Sequence, residues 1–443
     1  MRYSLLTIIL VVATSFTQHS HAQRTPDAAL INAQLALQKD PMAVRIAPEL
    51  LLLHDVYQAH RAEGKGTFVS PVASATVRDE MVRIEAVSTE STATSLIAEL
   101  RAIGLTDPTS FRHALNGWLP ISAIRQMGSL EHLRFVHQAY RPIYGSGIVT
   151  SQGDTAQNSH LARMNFSDAM GMPIDGSGIR VCVVSDSYDD KGGAADDIAS
   201  GDLPAEGVIN LDSTLNGNRS DEGRAMLQIV HDVAPGAELM FHTADGGIPT
   251  LAAHIMQLAD SGCTVIVDDV VYPNDAMFMD GLVAQAADEV ALAGITYLTA
   301  AGNAGRRSYQ SAYRPAGSDT TINFETYRPH DFDPGPGEDI YQTIKVKPGA
   351  TLRLSLNWDD PWYSITGGAA TDTDVNIFLY KEMTGSPQTP LAVGNIVNNN
   401  PPSGNGPWGN AWEVITWQNT LGTLDSMFNI FIGWVVDFGG PQP

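Results

Sequence analysis

The chain shows three successive patterns of hydrophobic and polar residues, and the first covers residues 80 to 145. Residues 82 to 86 alternate between apolar and charged side chains, which predicts a strand with one buried face. A polar cap and Gly104 bound a predicted helix, Pro120 begins a second short helix, and residues 133 to 137 form another strand. This order predicts a small two-layer α+β unit.

The second pattern, over residues 160 to 318, alternates short apolar runs with amphipathic segments. The apolar runs are continuous, as expected for strands that are covered on both faces. The predicted strands are residues 181–184, 238–242, 264–267 and 295–300, and the predicted helices are residues 224–233, 251–261 and 280–292. Strands that alternate with helices predict an α/β domain with a doubly wound parallel sheet.

The third pattern, over residues 319 to 443, consists of short strands separated by turns. Residues 352 to 358 alternate between apolar and polar side chains after a turn at Pro348-Gly349. Further strands are predicted at residues 375–380, 412–417 and 428–436. Several short strands of this kind predict a β-sandwich.

Composition and charge narrow the classes of partner. The 443 residues are 43 % hydrophobic and 17 % charged, which is ordinary for a globular protein with sizeable cores. The formal net charge is -23. An acidic surface repels phosphates and anionic headgroups, so we expect neither nucleic acid nor a membrane surface as a partner.

The N-terminus, residues 1 to 22, has the pattern of a signal peptide. Arg2 precedes an apolar run over residues 5 to 13 that is too short to span a bilayer, and small residues precede a cleavage position after Ala22. A membrane anchor is the alternative. We therefore expect a secreted or periplasmic protein with no membrane span, in which residues 23 to 79 form a helical lead-in and a loop.

The chain has two cysteines, Cys182 and Cys263, and each lies at the start of an apolar run. They are either small core residues or a disulfide, and the sequence leaves both alternatives open. Because no histidines follow at a matching spacing, the cysteines do not predict a zinc site.

Three polar residues lie where parallel α/β domains gather functional groups, near the carboxyl ends of strands. Asp186 follows the first predicted strand, Glu222 begins a helix, and Asn303 ends a turn of small residues. Each has a simple structural explanation when it is taken alone. Asp186 can cap a turn, Glu222 can favour a helix N-terminus, and Asn303 suits a turn at the end of a strand.

Taken together and in this order, the motifs resemble the subtilase family of serine peptidases over about residues 165 to 315. Residues 184 to 187 (Val-Ser-Asp-Ser) are similar to the family's catalytic aspartate motif. Residues 300 to 303 (Ala-Ala-Gly-Asn) are similar to the segment that carries the oxyanion-hole asparagine. The resemblance implies peptide-bond hydrolysis through an acyl-enzyme, with Asp186 and Asn303 in the active site.

The second motif of the family is altered, because Glu222-Gly223-Arg224 stands where subtilases have His-Gly-Thr. The sedolisins, acid-acting relatives of subtilases, also use a glutamate base, but they place an aspartate four residues later, where this chain has Met226. We therefore expect Glu222 to be the general base with Asp186 as its partner. Two neighbouring carboxyls would share a proton, so any activity is expected to peak at acid pH.

The family's nucleophile motif, Gly-Thr-Ser, does not occur after Asn303. Subtilases often carry inserted domains before this serine, and we interpret the β-rich residues 319 to 443 as such an insert. The sequence is then expected to stop before its nucleophile and to be inactive alone. Residues 80 to 145 resemble the subtilase propeptide, a folding aid and inhibitor, and residues 145 to 158 are predicted to be the processing linker.

Two further acidic sites remain open in the sequence. Asp269 and Val270 follow the strand that forms one wall of the subtilase substrate cleft, so the resemblance implies substrate contact, and a solvated turn is the alternative. Four acids lie close enough in sequence to share a calcium ion, but a solvated loop is the favoured interpretation and we expect no cofactor: Asp189, Asp190, Asp196 and Asp197.

The sequence thus predicts the precursor of a secreted serine-type endopeptidase that acts on proteins or peptides and has the propeptide-like unit as its internal partner. The first alternative is a non-catalytic pseudopeptidase that binds peptides without cutting them. The second alternative is a glycan-binding protein that uses exposed tryptophans of the β-rich segment: Trp358, Trp412 and Trp417.

Overall fold

The computed structural model describes most of the chain, and it divides into two compact units. We call Arg141–Tyr272 with Leu282–Asn303 the parallel-sheet unit, and Met1–Tyr140 with Pro273–Gly281 and Ala304–Pro443 the composite unit. The described residues are 5–11, 33, 36–37, 40–64, 66–72, 75–140, 152–169, 171–172, 174–213, 219–305, 307–322, 325–381, 389–394, 409–421 and 426–436.

The N-terminal part of the composite unit contains helices packed on an antiparallel sheet. The first strand of the chain, β1 Leu5–Val11, belongs to a different sheet, and the strands of this sheet are β2 Val77–Arg78, β3 Met81–Ser88, β4 Thr106–Phe111, β5 Ala114–Pro120 and β6 Leu133–Gln138. Its helices are α1 Pro48–Ala62, α2 Thr94–Ala102 and a 3₁₀ helix Ile121–Ser129. Strands β2, β3, β5 and β4 lie in that order, and β6 pairs with β3.

Alternation along β3 explains why these helices lie on the sheet. Val82, Ile84 and Ala86 are fully buried, and they share one hydrophobic core with Leu96 and Leu100 of α2. The strand with one buried face and the helix after it are therefore as the sequence predicted. The hairpin of β4 and β5 lies between α2 and the 3₁₀ helix.

The first strand, β1, coincides with the apolar run interpreted as a signal peptide. Its backbone pairs antiparallel with Ser308–Ala312 and Thr351–Trp358. The cleavage position after Ala22 lies outside the described residues, so the signal peptide stays a prediction. Among the residues that the structure describes, no helix combines the length and apolar composition needed to cross a membrane.

The parallel-sheet unit alternates strands with helices. Its helices are α3 Gly153–Ala156, α4 Ser159–Asn165, α5 Ala194–Ser200, α6 Glu222–Val233, α7 Ile248–Asp260 and α8 Leu282–Leu292. Its strands are β7 Arg180–Ser185, β8 Ile209–Asn210, β9 Glu238–Thr243, β10 Val265–Asp268 and β11 Thr296–Thr299. The first residues of the predicted linker, 145 to 151, lie outside the described part of the chain.

All neighbouring strands of this sheet run parallel, in the order β11-β10-β7-β9-β8. The central strand β7 is apolar from Val181 to Val184, and Val183 and Val184 are 0 % exposed, which confirms the continuous apolar run as a buried strand. The parallel α/β fold that the alternation predicted is therefore confirmed. A disulfide joins Cys182 of β7 to Cys263, with the two Cα atoms 6.0 Å apart, and this decides the alternative left open by the sequence.

The C-terminal part of the composite unit is built of antiparallel strands. They are β12 Ser308–Ala312, β13 Thr320–Ile322, β14 Glu325–Pro329, β15 Gln342–Val346, β16 Thr351–Trp358, β17 Val375–Lys381, β18 Ala392–Gly394, β19 Trp412–Gln418 and β20 Ser426–Val435, with a short helix α9 Tyr363–Thr366. One sheet has the order β12-β1-β16-β19. The other has the order β13-β14-β20-β17-β18, and β15 also pairs with β20.

Side chains from both sheets share one hydrophobic core. Leu352, Leu354 and Leu356 alternate along β16 and are fully buried, and they join Ile377 of β17 and Ile430 of β20. This alternation gives β16 one buried face, as the sequence predicted for the strand.

The tryptophans of this region also belong to the core. Trp358, Trp412 and Trp417 are 0 %, 1 % and 6 % exposed. The expectation that these three residues form an exposed glycan-binding surface is therefore wrong. Trp358 continues the alternating apolar positions of β16, so it lies on the same buried face as the leucines.

Candidate active site

Asp186 lies directly after β7, at the carboxyl edge of the parallel sheet, and is 3 % exposed. Its carboxylate accepts the backbone N–H of Glu222 at 3.0 Å and the hydroxyl of Ser220 at 2.6 Å. The backbone N–H groups of Ser187 and Ser220 donate to the same carboxylate. Asp186 therefore ties the start of α6 to the end of β7, and it holds Glu222 by the backbone.

The residues around Glu222 are fitted closely to this position. Asp221 has a left-handed backbone with φ of 62°, and its carboxylate accepts the hydroxyl of Ser187 at 2.8 Å, which holds the unusual conformation. A Cβ on Gly223 would lie 2.2 Å from the ring of Phe241 and 2.8 Å from the carbonyl oxygen of Ser187. Only glycine fits there, which explains the Glu-Gly sequence at the start of α6.

The carboxyl group of Glu222 is hydrogen-bonded to the carboxyl of Asp269, which follows β10. Burial, the charge of Asp269 and this hydrogen bond raise the pKa of Glu222 well above its ordinary range, and the charge of Asp186 adds to the effect. Burial also raises the pKa of Asp269, whose Oδ1 accepts the hydroxyl of Ser185 at 3.3 Å. Because two carboxylates cannot hydrogen-bond without a proton between them, the pair shares one.

Glu222 Oε2 is buried, and within the described residues no N–H or hydroxyl group donates to it. Buried polar atoms in folded proteins are hydrogen-bonded in the large majority of cases. The contact with Asp269 is thus the side-chain hydrogen bond that the structure gives to the Glu222 carboxyl.

The structure assigns different contacts to the two aspartates from those the sequence suggested. Asp186 was expected to be the partner of Glu222, and Asp269 was expected to contact substrate. The side chain of Asp269 instead bonds the side chain of Glu222, while Asp186 contributes its charge and the backbone contact. The sequence signal for this role is the Asp268-Asp269 pair immediately after an apolar run, but the sequence does not say which carboxyl it meets.

Asp268 and Val270 flank Asp269 at the end of β10. Asp268 is 5 % exposed, and its Oδ1 accepts the hydroxyl of Thr299 at 2.9 Å and the N–H of Val270 at 3.1 Å. Burial raises the pKa of Asp268. Val270, predicted to contact substrate, is half-buried, and its N–H is already used in this turn.

Asn303 follows β11 and is exposed. Because β7, β10 and β11 are parallel, Asn303 lies beyond the same edge of the sheet as Asp186 and Asp269. Gly302 before it has φ of +75°, a conformation that suits glycine, and its backbone approaches Val271, whose side chain would lie 3.8 Å from an added Cβ. The sharp turn presents Asn303 to solvent at that edge.

Three of the four acids considered for calcium pair with arginine side chains. Arg224 pairs with Asp189 at 2.9 Å and with Asp197 at 3.0 Å. Arg219 pairs with Asp190 at 2.8 Å. Asp196, the fourth of these acids, is exposed. Three of the four carboxylates thus have a guanidinium group as their counter-charge.

Three serine hydroxyls lie next to the carboxyl cluster, and each donates to a carboxylate other than that of Glu222. Ser185 donates to Asp269, Ser187 to Asp221 and Ser220 to Asp186. These hydroxyls therefore hold the carboxylates around Glu222 and not the carboxyl of Glu222 itself.

Comparisons with known proteins give little beyond this geometry. No protein-family model matches the chain. No curated protein matches it at a significant level. Two crystal structures of the epidermin leader peptide processing serine protease EpiP from Staphylococcus aureus resemble it, with TM-scores of 0.33 and 0.30 at 13 % sequence identity. In both cases the likeness covers 51 % of this chain and 61 % of the protease, so the chain spans about 61 % of that protein's length. The function proposed below therefore rests on the residues of the site.

Proposed function

We propose that the protein is a serine-type endopeptidase of the subtilase kind and that Glu222 and Asp269 form its acid–base pair. The observation that carries this proposal is the hydrogen bond between the half-buried carboxyls of Glu222 and Asp269, at the carboxyl edge of a parallel sheet. A carboxyl with a raised pKa exchanges protons near the pH at which the reaction runs, which is what general acid–base catalysis requires.

The pair performs both proton transfers of an acyl transfer. With one shared proton it carries a single negative charge, and the Glu222 carboxylate accepts the hydroxyl proton of the nucleophile as the nucleophile's oxygen bonds to the substrate carbonyl carbon. The carbonyl π electrons move to the carbonyl oxygen. When the tetrahedral intermediate collapses, the C–N bond breaks and the proton passes from Glu222 to the leaving amine.

Asp186 and Asn303 support this reaction in different ways. Asp186 fixes the backbone of Glu222 and adds negative charge, which favours the protonated form of the pair. We propose that the side-chain amide of Asn303 donates to the developing oxyanion, a contact worth about 10²–10³ in rate in comparable sites.

We propose that the nucleophilic serine lies outside the motifs of Asp186, Glu222 and Asn303. We also propose that residues 80 to 145 act as the propeptide. We also propose that the protein is exported. The disulfide between Cys182 and Cys263 supports export because such bonds persist in oxidising compartments.

The proposal is tested by hydrolysis of fluorescein-labelled casein by the full gene product between about pH 4 and pH 8. We expect an acid optimum, and a loss of about 10²-fold or more in kcat/KM for Glu222→Gln, because the amide cannot take up the proton. The matched control is Glu238→Gln, an exposed glutamate of the same sheet that is far along β9 from its carboxyl end. Equal activity of Glu222→Gln and the wild type would contradict the role of Glu222.

A second function, peptide binding without cleavage, is favoured by one observation. The three serines beside the carboxyl cluster donate to other acids, and the described residues place no hydroxyl on Glu222 Oε2. If the full gene product fails to cleave casein but its fluorescein-labelled peptides bind, and binding weakens in Glu222→Gln, this second function replaces the first.

A further inference from the structure

A buried polar row crosses the sheet of the composite unit that has the order β13-β14-β20-β17-β18. Tyr327 of β14 pairs with Val435 of β20, and the N–H of Val435 donates to the carbonyl oxygen of Asp374 at 2.9 Å. Asn376 follows on β17 opposite Gly433. Side chains of paired residues on neighbouring strands face the same side, so Tyr327, Asp374 and Asn376 share one face of the sheet.

Gly433 allows these side chains to meet. A Cβ on Gly433 would lie 2.8 Å from the Cβ of Tyr327, so the tyrosine leans across the middle strand. The Tyr327 hydroxyl accepts a hydrogen bond from Nδ2 of Asn376 at 3.3 Å and donates one to Oε2 of Glu325 at 2.5 Å. The hydroxyl thereby links the side chains of Asn376 and Glu325 in one cluster.

Two oxygens of this cluster lack partners although they are buried. Asp374 is 5 % exposed and Asn376 is 1 % exposed, and Oδ1 of each makes no hydrogen bond within the described part of the chain. Because Nδ2 of Asn376 is bonded to Tyr327, its Oδ1 is the free acceptor of the amide. These two buried acceptors lie on one face of the sheet, and a cation or a water molecule is the kind of partner that such oxygens require.

The negative charge of the cluster also favours a bound cation. Asp374 is buried, and the carboxylate of Glu325 lies near it. An isolated carboxylate is costly to bury, so it needs either a proton or a cation. Two carboxylates and an amide oxygen form the kind of oxygen donor set that hard divalent cations prefer.

We propose that Asp374, Asn376 and Glu325 bind a divalent cation of the calcium class. Glu325 is half-buried, so the site opens to solvent on its side, and water completes the coordination shell. The site is separate from the acids Asp189, Asp190 and Asp197, which have arginine partners.

The first test uses terbium as the probe, with the full chain. Tyr327 is bonded to Glu325, so excitation of tyrosine should sensitise luminescence of a Tb³⁺ ion bound there, and Ca²⁺ should displace it. We expect Asp374→Asn to weaken Tb³⁺ binding by about tenfold or more, because the ligand charge falls. Asp333→Asn is the control, since Asp333 lies in an exposed acidic loop of the same unit, and it should leave binding unchanged.

A second variant keeps the proposal falsifiable if Asp374→Asn folds poorly. Asn376→Asp adds a carboxylate at the same position, so it should tighten Tb³⁺ binding and make Tm depend more strongly on Ca²⁺. If the wild type binds no Tb³⁺, or if Asp333→Asn removes the signal and Asp374→Asn does not, the proposal is overturned. Asp374 is then a protonated buried acid, and Asn376→Asp should only lower Tm.

Discussion

Glu222 in the parallel-sheet unit and His137 in the composite unit are both titratable side chains that the fold removes from water, and their pKa values move in opposite directions. Burial and Asp269 raise the pKa of Glu222. Burial lowers the pKa of His137 to about 4. Burial acts against the charged form in both cases, which is the protonated form of histidine and the deprotonated form of glutamate.

The surroundings of His137 explain why burial dominates there. The side chain is 4 % exposed, and its ring lies 5.6 Å from the ring of Trp412 and 5.9 Å from that of Tyr140. Nδ1 donates to the carbonyl oxygen of Gln138 at 2.8 Å. Glu85 is 3.9 Å from Nε2, too far for a hydrogen bond that would favour the charged ring.

The two shifts have opposite consequences for stability. The contribution of His137 is complete above its unfolded pKa of about 6.5 and is lost as the pH falls toward about 4, because the unfolded chain binds the proton first. Glu222 does not reduce the free energy of unfolding below its unfolded pKa of about 4.3. As the pH rises from there through the raised folded pKa of Glu222, this free energy falls. Acid thus favours the carboxyl cluster and disfavours the core around His137.

The largest expected effect is a loss of stability in the parallel-sheet unit alone, because that unit contains the disulfide. Both cysteines lie in the parallel-sheet unit, and the disulfide spans a sequence separation of 81 residues. Replacing both cysteines by alanine should destabilise that unit by about 4 kcal/mol, because its unfolded chain gains the freedom of a long loop. Hydrogen exchange of β7 and β10 measures this, with β3 as the internal control. An equal loss of protection in β3 would contradict the separation.

The next effect concerns His137 itself. Between about pH 6.5 and pH 4, the sheet that carries β3 and β6 should lose up to about 3 kcal/mol, since the pKa falls from 6.5 to about 4. His137→Gln should remove most of this acid loss. The measurement is hydrogen exchange of β3 and β6, corrected for intrinsic rates, at both ends of the range. His132→Gln is the control, because the pKa of His132 is raised by Glu99. Retention of the acid loss in His137→Gln would assign it to other groups.

The smallest effect concerns the carboxyl pair. Asp269→Asn removes one charge next to Glu222 and should lower the pKa of Glu222. At neutral pH the parallel-sheet unit should gain about 1 kcal/mol, and the gain should vanish below about pH 4, where both carboxyls are protonated in the wild type. Urea unfolding followed by hydrogen exchange of α6 measures it. Asp196→Asn, an exposed acid of the same unit, serves as control. A gain of equal size in Asp196→Asn would indicate a general charge effect.

Sequence patterns were sufficient for the elements that pack by burial alone. The continuous run that became β7 and the alternation along β3 have only one favourable arrangement, with apolar faces inside. The same logic applies to Trp358, whose place in the alternation of β16 gave a better indication of burial than its residue type.

The carboxyl cluster was predictable only in part. Asp186 and Glu222 were located by their motifs, and the structure brings them into contact at the start of α6. The hydrogen bond between Glu222 and Asp269 depends on how α6 packs beside β10, and no local pattern encodes that distance. The left-handed backbone of Asp221 was not predictable for the same reason, because hydrogen bonds from distant residues hold it in place.

The most direct test of the account is the protonation state of Glu222, measured by infrared difference spectroscopy of the wild type against Glu222→Gln. We expect a protonated carboxyl band that Glu222→Gln removes and that persists at about pH 6, well above the ordinary glutamate pKa of about 4.3. In Asp269→Asn the band should disappear at lower pH. A band that titrates near pH 4.3 in the wild type, unchanged by Asp269→Asn, would contradict the shared proton on which the proposed chemistry depends.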